Sequence, residues 1–267
     1  MITPIGAVFS GAGTLGSSEV GAAQAVEDCN MGIKILVTTS AGSIIGALLA
    51  LGRKAKDLKT ITEDADYKKL IPFNFFSYSK FMFMGHMVSN DNVIEWLKTI
   101  TDNAKAKDLI MPLKTVTTDL QSGKSMVFDS VSNPNMYVWE MVLPSMSIPD
   151  VFPTYLKKYV DGGVADNLGI NFLETKYRKI AFRVYSPLKP KLKFNLISKQ
   201  IRLVNIMLSS DENLLALLGK DLGVEVINLP VVDNLTFLEP GMTLPQKLKL
   251  YDAGYKAAFK YLSGENK

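Results

Sequence analysis

Residues 33–52 read Ile-Lys-Ile-Leu-Val-Thr-Thr-Ser-Ala-Gly-Ser-Ile-Ile-Gly-Ala-Leu-Leu-Ala-Leu-Gly, and this order predicts a strand, a sharp turn and a buried helix. The first part is rich in β-branched residues, hydroxyl residues follow, and the helical part at 44–51 is apolar on every side. A helix of that kind is normally buried. The uncharged run 35–52 has eighteen residues, near the lower limit for a membrane span. The hydroxyl residues near its middle nevertheless favour the strand, turn and helix.

The same pattern occurs at the start of the chain. Residues 5–9 predict a short buried strand, 10–16 a glycine-rich turn and 20–26 a helix. Two such units in succession predict an α/β fold with a mainly parallel sheet. Without an internal repeat or a linker-like stretch, residues 1–267 are expected to form a single domain. Further strands are predicted at 115–118, 125–128, 159–160, 179–184 and 224–227, and a last helix after Pro245.

Composition excludes several classes of protein. The chain is 47% hydrophobic and 21% charged, so it is neither a disordered chain nor a disulfide scaffold. Its net charge of +4 is too small to indicate a nucleic-acid partner. Cys29 and His86 are the only cysteine and histidine, which excludes a Cys/His zinc cluster but leaves a carboxylate-bound metal open. The first basic residue is Lys34, so no secretory signal is predicted, and the expected location is cytoplasmic or peripheral to a membrane.

The first turn satisfies the pattern G-x-G-x-x-G through Gly11, Gly13 and Gly16. A dinucleotide site also needs an acidic residue at the end of the second strand, where this chain has Val-Thr-Thr-Ser at 37–40. Nucleotide binding is therefore the weakest alternative. The glycines do allow main-chain N–H groups to converge on an anion at a helix N-terminus, and an oxyanion is as suitable as a phosphate.

The second turn, Thr38-Thr-Ser-Ala-Gly42, matches the nucleophile elbow G-x-S-x-G in all but its first residue. Such a turn lifts the Ser40 hydroxyl out of the sheet. The following helix N-terminus favours negative charge that develops at the serine and its substrate. The alternative is that Ser40 is only a helix N-cap with small neighbours.

A nucleophilic serine needs a base. His86 lies in the aromatic and methionine-rich stretch 83–87, without a turn that would aim it at a sheet edge, so a structural or surface role is favoured for it. Asp161 is the better candidate, because a short strand ends in this carboxylate and two glycines follow. Ligands of parallel sheets gather at the carboxyl ends of strands, where Ser40 is also expected. The alternative for Asp161 is that it only begins a Gly-Gly turn.

Three segments together resemble the signature blocks of patatin-like phospholipases. In order they are Phe9-Ser-Gly-Ala-Gly-Thr-Leu-Gly16, Thr39-Ser-Ala-Gly-Ser-Ile-Ile-Gly-Ala-Leu-Leu-Ala-Leu-Gly52 and Val160-Asp-Gly-Gly-Val-Ala-Asp-Asn-Leu168. Two connecting stretches are also similar to the family: Thr118-Asp-Leu-Gln-Ser-Gly123 through Phe128, and Pro144-Ser-Met-Ser-Ile-Pro-Asp-Val-Phe-Pro153. The resemblance runs from about residue 5 to residue 170.

The resemblance implies a fold, a reaction and a set of site residues. The family fold is a three-layer α/β/α sandwich, and its reaction is hydrolysis of acyl esters in phospholipids or other lipids, without metal or organic cofactor. Ser40 is then the nucleophile and Asp161 the general base of a Ser-Asp dyad. The N–H groups of Gly11, Ala12 and Gly13 form the oxyanion hole. The chain is expected to be a lipid acyl hydrolase of phospholipase A type that acts through an acyl-enzyme.

Three residues depart from the family pattern. Ala12 replaces the central glycine of the glycine triplet, Leu15 stands where Arg or Lys is usual, and Thr38 replaces the first elbow glycine. If position 12 needs φ > 0, alanine costs roughly 1 kcal/mol or more. These departures motivate an alternative, a non-catalytic lipid- or protein-binding module with the same fold. A transacylase, in which an alcohol replaces water as acyl acceptor, is the close enzymatic alternative.

Some segments could meet lipid, so a peripheral membrane surface is a further expected partner beside the lipid ester substrate. Residues 71–87 hold five of the thirteen phenylalanines and three of the twelve methionines, which fits a lid, an interface anchor or the inner face of a cap. In the last helix, Leu248, Tyr251, Tyr255, Phe259 and Leu262 recur at helical spacing beside Lys247, Lys249, Lys256 and Lys260. That pattern favours core packing with a solvated basic flank. A basic exposed loop is predicted around Lys189, Lys191 and Lys193.

Overall fold

The computed structural model describes residues 2–72, 77–185, 221–239 and 241–264, with the single positions 202, 206 and 219. The strands are β1 (Thr3–Phe9), β2 (Met31–Thr39), β3 (Leu113–Asp119), β4 (Lys124–Asp129), β5 (Tyr159–Asp161), β6 (Arg178–Tyr185) and β7 (Val224–Pro230). The helices are α1 (Ser17–Asp28), α2 (Gly42–Ala50), α3 (Ala55–Asp64), α4 (Tyr67–Leu70), α5 (Ser77–Met84), α6 (Asp91–Ile100), α7 (Val138–Ser145) and α8 (Leu244–Leu262). Each strand and helix predicted from the sequence overlaps one of these elements.

Within the described ranges, one sheet contains all seven strands. Its order is β4-β3-β2-β1-β6-β7, and β5 pairs with β3 off this path. The pairs β1–β2, β1–β6, β2–β3 and β6–β7 are parallel, whereas β4 and β5 run antiparallel to β3. The predicted α/β fold, with a mainly parallel central sheet flanked by helices, is confirmed. The turns that follow β1 and β2 therefore lie side by side at one edge of the sheet.

The larger core lies on the face of the sheet that carries Ile5, Ala7 and Phe9, and buried side chains of α1, α2, α3, α6, α7 and α8 cover it. There α1 and α8 approach so closely that a Cβ at Gly254 would overlap the carbonyl O of Ser18. A smaller core covers the opposite face, between the strands and the segment that follows β5; its members include Val8, Val37, Val116, Leu168, Ile170 and Leu173.

The prediction that the lysines along α8 are exposed to solvent is wrong at Lys247. This side chain is buried, and its Nζ donates to the carbonyl O atoms of Glu63 at 3.0 Å and Ala65 at 2.6 Å. Lys247 thus binds carbonyl groups at the carboxyl end of α3 that have no partner inside the helix. Desolvation lowers the pKa of Lys247. The other lysines of this flank, Lys249, Lys256 and Lys260, are exposed, while the predicted loop at Lys189, Lys191 and Lys193 lies outside the described residues.

β2 and β5 lie along the same edge of β3 and meet end to end. β2 pairs with β3 as far as Thr39, opposite Val116, and β5 continues from the next position, with Asp161 opposite Thr117. Asp161 was predicted near Ser40 because both were expected at the carboxyl ends of parallel strands. That reason is wrong, because β5 runs antiparallel to β3. Ser40 and Asp161 lie close together because β2 and β5 run in opposite directions along the same edge of β3 and end at adjacent positions of that strand.

Candidate active site

Ser40 lies in a strained turn between β2 and α2. Its φ is +51°, in the left-handed region, which costs a non-glycine residue about 1–3 kcal/mol. The residue is 2% exposed. Gly42 lets this turn approach the end of β1, since a Cβ there would overlap the carbonyl O of Ser10. A strand, a strained serine and a helix in this order have the geometry of a nucleophile elbow.

Ser40 is not the N-cap of α2. The N-cap is Ala41, and within the described residues no side chain caps the first turn of this helix. The Ser40 hydroxyl instead points toward a carboxylate. The simple capping role considered for Ser40 therefore does not account for the residue.

Thr38 fits the elbow because Gly46 lies opposite it in α2. A Cβ at Gly46 would overlap the Thr38 methyl group, so the helix glycine leaves room for the β-branched side chain. Thr38 Oγ1 also lies 3.2 Å from Ser43 Oγ and forms a hydrogen bond with it. The close packing that a first elbow glycine usually allows is thus achieved here by a glycine on the helix.

The Asp161 carboxylate lies against Ser40. Ser40 Oγ donates a hydrogen bond of 2.5 Å to Asp161 Oδ2, and the Gly163 N–H donates one of 2.8 Å to Oδ1. Burial raises the pKa of Asp161 to about 7, although both hydrogen bonds act in the opposite direction. A carboxyl group with this pKa can take up and release a proton near neutral pH.

The glycine-rich turn after β1 differs from the sequence expectation at Gly11. The Gly11 N–H donates to the carbonyl O of Asn167 at 3.0 Å, so this amide is already occupied and is not a free oxyanion donor. For the N–H groups of Ala12 and Gly13, the described part of the chain offers no acceptor. Gly13 has φ +54°, and a Cβ there would overlap the carbonyl O of Phe237. Two unoccupied donors therefore remain in this turn.

The structure also explains two departures from the family pattern. Ala12 has φ −120°, so the position does not need a left-handed residue and alanine is unstrained. Leu15 is fully buried in the larger core, where a charged side chain would be costly. Neither residue removes an N–H group from the turn.

An apolar cavity of about 70 Å³ lies beside Ser40. Ser40, Gly13 and Thr14 form part of its wall. The volume admits only a few water molecules, so an acyl chain would need the wall to move outward. The rest of the wall is mainly apolar and comes from α2, α4, α6 and the segments that follow α3, α4, α7 and β7: Ile44, Ile45, Ala65, Tyr67, Leu70, Ile71, Val93, Trp96, Met146, Ile148, Phe152 and Leu238.

Residues 71–87 contribute both to this wall and to the surface. Ile71 lines the cavity and Met87 is buried. Between them, Met82, Phe83 and Met84 at the end of α5 are exposed, Phe83 by 89%. Residues 73–76 lie outside the described part. The segment is therefore neither wholly the inner face of a cap nor wholly an exposed anchor.

Two further groups complete the description of this region. His86 Nδ1 lies 3.0 Å from the carbonyl O of Val88, a local contact two residues along the chain. In the ranges that the structure covers, no three His, Cys, Asp or Glu side chains form a group that could hold a metal ion. Across the same ranges no helix combines the length and the apolar character needed to cross a bilayer.

Sequence reasoning missed several residues that build the site. Ser145 Oγ lies 2.9 Å from the Ser40 amide nitrogen, and Phe237 holds the glycine turn through its carbonyl O. Tyr67 and Trp96 line the cavity. Ser145 lies within a stretch that resembles the family, so a signal for the segment was present. Phe237 and Thr14 are 223 residues apart, and no local pattern connects them.

The chain belongs to the patatin-like phospholipase family, because the family model matches residues 7–173, more than half of its length. At the level of the family, this places it among lipid hydrolases. YqhO of Bacillus subtilis is 31% identical over 202 residues, which cover 66% of this chain and 68% of that protein. A lysophospholipase of Phaeosphaeria nodorum is 26% identical over 191 residues, 67% of this chain but only 12% of the much longer relative.

Solved structures show the same fold. VipD from Legionella pneumophila superposes with a TM-score of 0.59 at 16% identity, covering 98% of this chain and 67% of VipD. The type III effector ExoU of Pseudomonas aeruginosa gives a TM-score of 0.54 at 15% identity, covering 99% of this chain and 53% of ExoU. The chain thus spans about half the length of ExoU. The predicted resemblance and the predicted patatin-like fold are both confirmed.

Proposed function

We propose that this chain is a lipid acyl hydrolase of phospholipase A type, with Ser40 as nucleophile and Asp161 as general base. The observation that carries the proposal is the 2.5 Å hydrogen bond from Ser40 Oγ to Asp161 Oδ2 beside an apolar cavity. Family membership supports a lipid substrate. The cavity wall supports a fatty acyl chain, since hydrocarbon chains bind where apolar side chains converge on few polar groups.

Acylation proceeds in two stages. Asp161 Oδ2 takes the Ser40 proton as Ser40 Oγ bonds to the ester carbonyl carbon, and the carbonyl oxygen becomes an oxyanion. The N–H groups of Ala12 and Gly13 would stabilise this oxyanion, each by about 3 kcal/mol if they act as oxyanion donors do elsewhere. The ester C–O bond then breaks, the leaving oxygen receives the proton from Asp161, and a lysophospholipid departs.

Deacylation uses the same groups. Asp161 takes a proton from water as the water oxygen attacks the acyl carbon of the acyl-enzyme. When the bond to Ser40 Oγ breaks, the proton returns to Ser40 and the fatty acid departs. A carboxyl with a pKa of about 7 can hold the proton between these steps, so a histidine is not required.

The non-catalytic alternative loses its motivation. Its basis was the set of departures at Ala12, Leu15 and Thr38, and each has a local structural reason: an unstrained φ, a buried position and a facing glycine. The transacylase alternative uses the same dyad with an alcohol as acceptor, so only its products distinguish it.

A fluorophosphonate probe and phosphatidylcholine vesicles test the proposal together. We expect covalent labelling at Ser40, located by peptide mapping, and release of fatty acid and lysophospholipid in equal amounts. Absence of both label and products on folded protein would favour the non-catalytic module. Esters of an added alcohol in place of free fatty acid would identify a transacylase.

The rate is expected to depend on pH through Asp161. The base must be ionised to accept the Ser40 proton, and its pKa of about 7 places the midpoint of kcat/KM at about that pH. Activity on a soluble short-chain ester should therefore rise tenfold per pH unit below the midpoint and level off above it. A rate that is flat or decreases from pH 5 to pH 8 would contradict the assignment of the base.

The exposed side chains at the end of α5 are expected to contact the membrane surface. Exposed aromatic and methionine side chains insert readily into the interface, so Met82→Ser, Phe83→Ser and Met84→Ser together should weaken binding to anionic vesicles by about tenfold or more. Hydrolysis of a soluble ester should not change. Val131→Ser, which removes an equally exposed apolar side chain elsewhere, is the matched control. Unchanged vesicle binding by the triple variant would remove α5 from the interface.

A further inference from the structure

The hydroxyl of Ser145 is at the centre of a buried polar network behind Ser40. Ser145 ends α7 and is fully buried. Its Oγ lies 2.9 Å from the Ser40 amide nitrogen, 2.5 Å from the Val116 carbonyl O and 2.8 Å from Ser43 Oγ. Polar groups from the turn after β2, from β3 and from α2 therefore converge on one oxygen atom.

Donor and acceptor rules fix every proton at this oxygen. The Ser40 N–H can only donate and the Val116 carbonyl can only accept, so Ser145 accepts from the first and donates its single proton to the second. Its remaining lone pair must then accept the Ser43 hydroxyl proton. The hydroxyl is fully satisfied, and no other orientation of these protons satisfies all four groups.

The bridge joins the nucleophile to the strand that also holds the base. Pairing between β2 and β3 stops at Thr39 and Val116, and Ser40 then turns away with φ +51°. Through Ser145, the Ser40 amide is tied back to Val116, whose neighbour Thr117 pairs with Asp161. Ser40 and Asp161 are thus held by two adjacent residues of β3, Ser40 by Val116 through Ser145 and Asp161 by its strand partner Thr117.

The same segment contacts the base directly. The Asp161 N–H donates to the Ser147 carbonyl O at 2.9 Å, two residues after Ser145. Residues 145–147 therefore bind the main chain of Ser40 through a side chain and the main chain of Asp161 through a carbonyl group. The relative position of the two reacting groups depends on this one short segment.

We propose that Ser145 is a positioning residue for the reaction: its hydroxyl holds the strained Ser40 main chain at the distance from Asp161 that proton transfer requires. The proposal rests on the proposed function of the dyad. Ser145 does not touch the substrate in this role, because its hydroxyl acts on the Ser40 amide. Its removal should slow chemistry and leave substrate binding almost unchanged.

The test compares Ser145→Ala with Ser130→Ala on a soluble short-chain ester and with the fluorophosphonate probe. Ser130 is the matched control, since its buried hydroxyl oxygen also accepts a main-chain N–H, that of Leu113 at 2.9 Å, at the opposite end of β3. For Ser145→Ala we expect kcat to decrease about ten- to hundredfold, with KM within about twofold, and the labelling rate to decrease by the same factor. For Ser130→Ala we expect a loss of thermal stability but a kcat within about threefold of wild type.

A second readout separates positioning from a general loss of stability. Displacing Ser40 Oγ removes a hydrogen bond that lowers the pKa of Asp161, so the pH midpoint of kcat/KM should shift upward in Ser145→Ala but not in Ser130→Ala. Should Ser145→Ala not fold, Ser145→Cys, which keeps a side chain of similar shape, should show the same kcat loss, and Ser145→Thr, which keeps the hydroxyl, should restore most of the rate. Equal kcat, labelling rate and pH midpoint in Ser145→Ala and Ser130→Ala would overturn the proposal. If wild type itself neither hydrolyses nor labels, it is the proposed function that fails.

Discussion

Ser40→Ala is expected to reduce phospholipid hydrolysis by at least about 10⁴-fold and to abolish fluorophosphonate labelling. The variant lacks the oxygen that bonds to the acyl carbon, so only binding and the remaining N–H donors can contribute to the rate. The side chain loses a single hydrogen bond, to Asp161, and the fold should persist. Mass spectrometry of released fatty acid, with thermal unfolding as a check on folding, measures both effects.

Ser130→Ala is a suitable control for that experiment. Ser130 is also buried, and its Oγ accepts the Leu113 N–H at 2.9 Å at the amino end of β3, far along the strand from the dyad. Its loss should lower stability without changing the chemistry. Retention of more than about one per cent of the wild-type rate by Ser40→Ala would show that another residue is the nucleophile.

Asp161→Asn is expected to reduce the rate by about 10²- to 10⁴-fold, the usual contribution of a general base. The amide keeps the size of the side chain and its oxygen can still accept the Gly163 N–H. It cannot accept a proton from Ser40 at neutral pH. The residual rate should therefore lose the rise with pH that wild type shows around pH 7.

The same substitution should change the pH dependence of stability. An ordinary aspartate carboxyl has a pKa of 3.8, whereas that of Asp161 in the folded chain is about 7. From about pH 4 to about pH 7 the folded state therefore binds a proton that the unfolded state releases. The contribution of Asp161 to stability is fully present below pH 4 and is lost as pH rises through this window. Asparagine does not titrate, so Asp161→Asn should become more stable relative to wild type between pH 5 and pH 8.

Urea unfolding at pH 5 and at pH 8 measures the difference in stability between wild type and Asp161→Asn. Asp252→Asn, which changes an exposed aspartate on α8, provides a control for the loss of one surface charge. A difference in unfolding free energy between wild type and Asp161→Asn that is the same at pH 5 and pH 8 would show that the folded carboxyl does not have a raised pKa.

The sequence could predict the elements because their signals are local. The strand, turn and buried helix at 33–52 are each visible in residue type, and the structure has β2 and α2 there. Direction of pairing is not a local property. Nothing in Tyr159-Val-Asp161 shows that β5 runs antiparallel to β3. Asp161 was therefore predicted near Ser40 for a reason, parallel pairing, that does not hold in the sheet.

Parts of the site that depend on distant contacts were also beyond the sequence. Whether the Gly11 N–H is free depends on the Asn167 carbonyl, more than 150 residues away. Lys247 has the spacing of a solvated flank and is buried because the carboxyl end of α3 needs donors. Such departures occur where a main-chain carbonyl of one segment accepts a hydrogen bond from a distant segment. The spacing of residues along the chain carries no information about such contacts.

The contact between Phe237 and the glycine turn bears on how much of the chain must be expressed to obtain a working enzyme. The Phe237 carbonyl accepts the Thr14 N–H at 2.7 Å, and the Glu239 N–H donates to Thr14 Oγ1 at 2.9 Å. Both residues lie past residue 173, where the family match stops, as do β6 and β7. A recombinant fragment trimmed to that match would expose one edge of β1, leave the glycine turn without its contacts to Phe237 and Glu239, and lack α8, whose buried side chains belong to the larger core. Deletions from the carboxyl side should therefore leave the chain intact through residue 262, the end of α8.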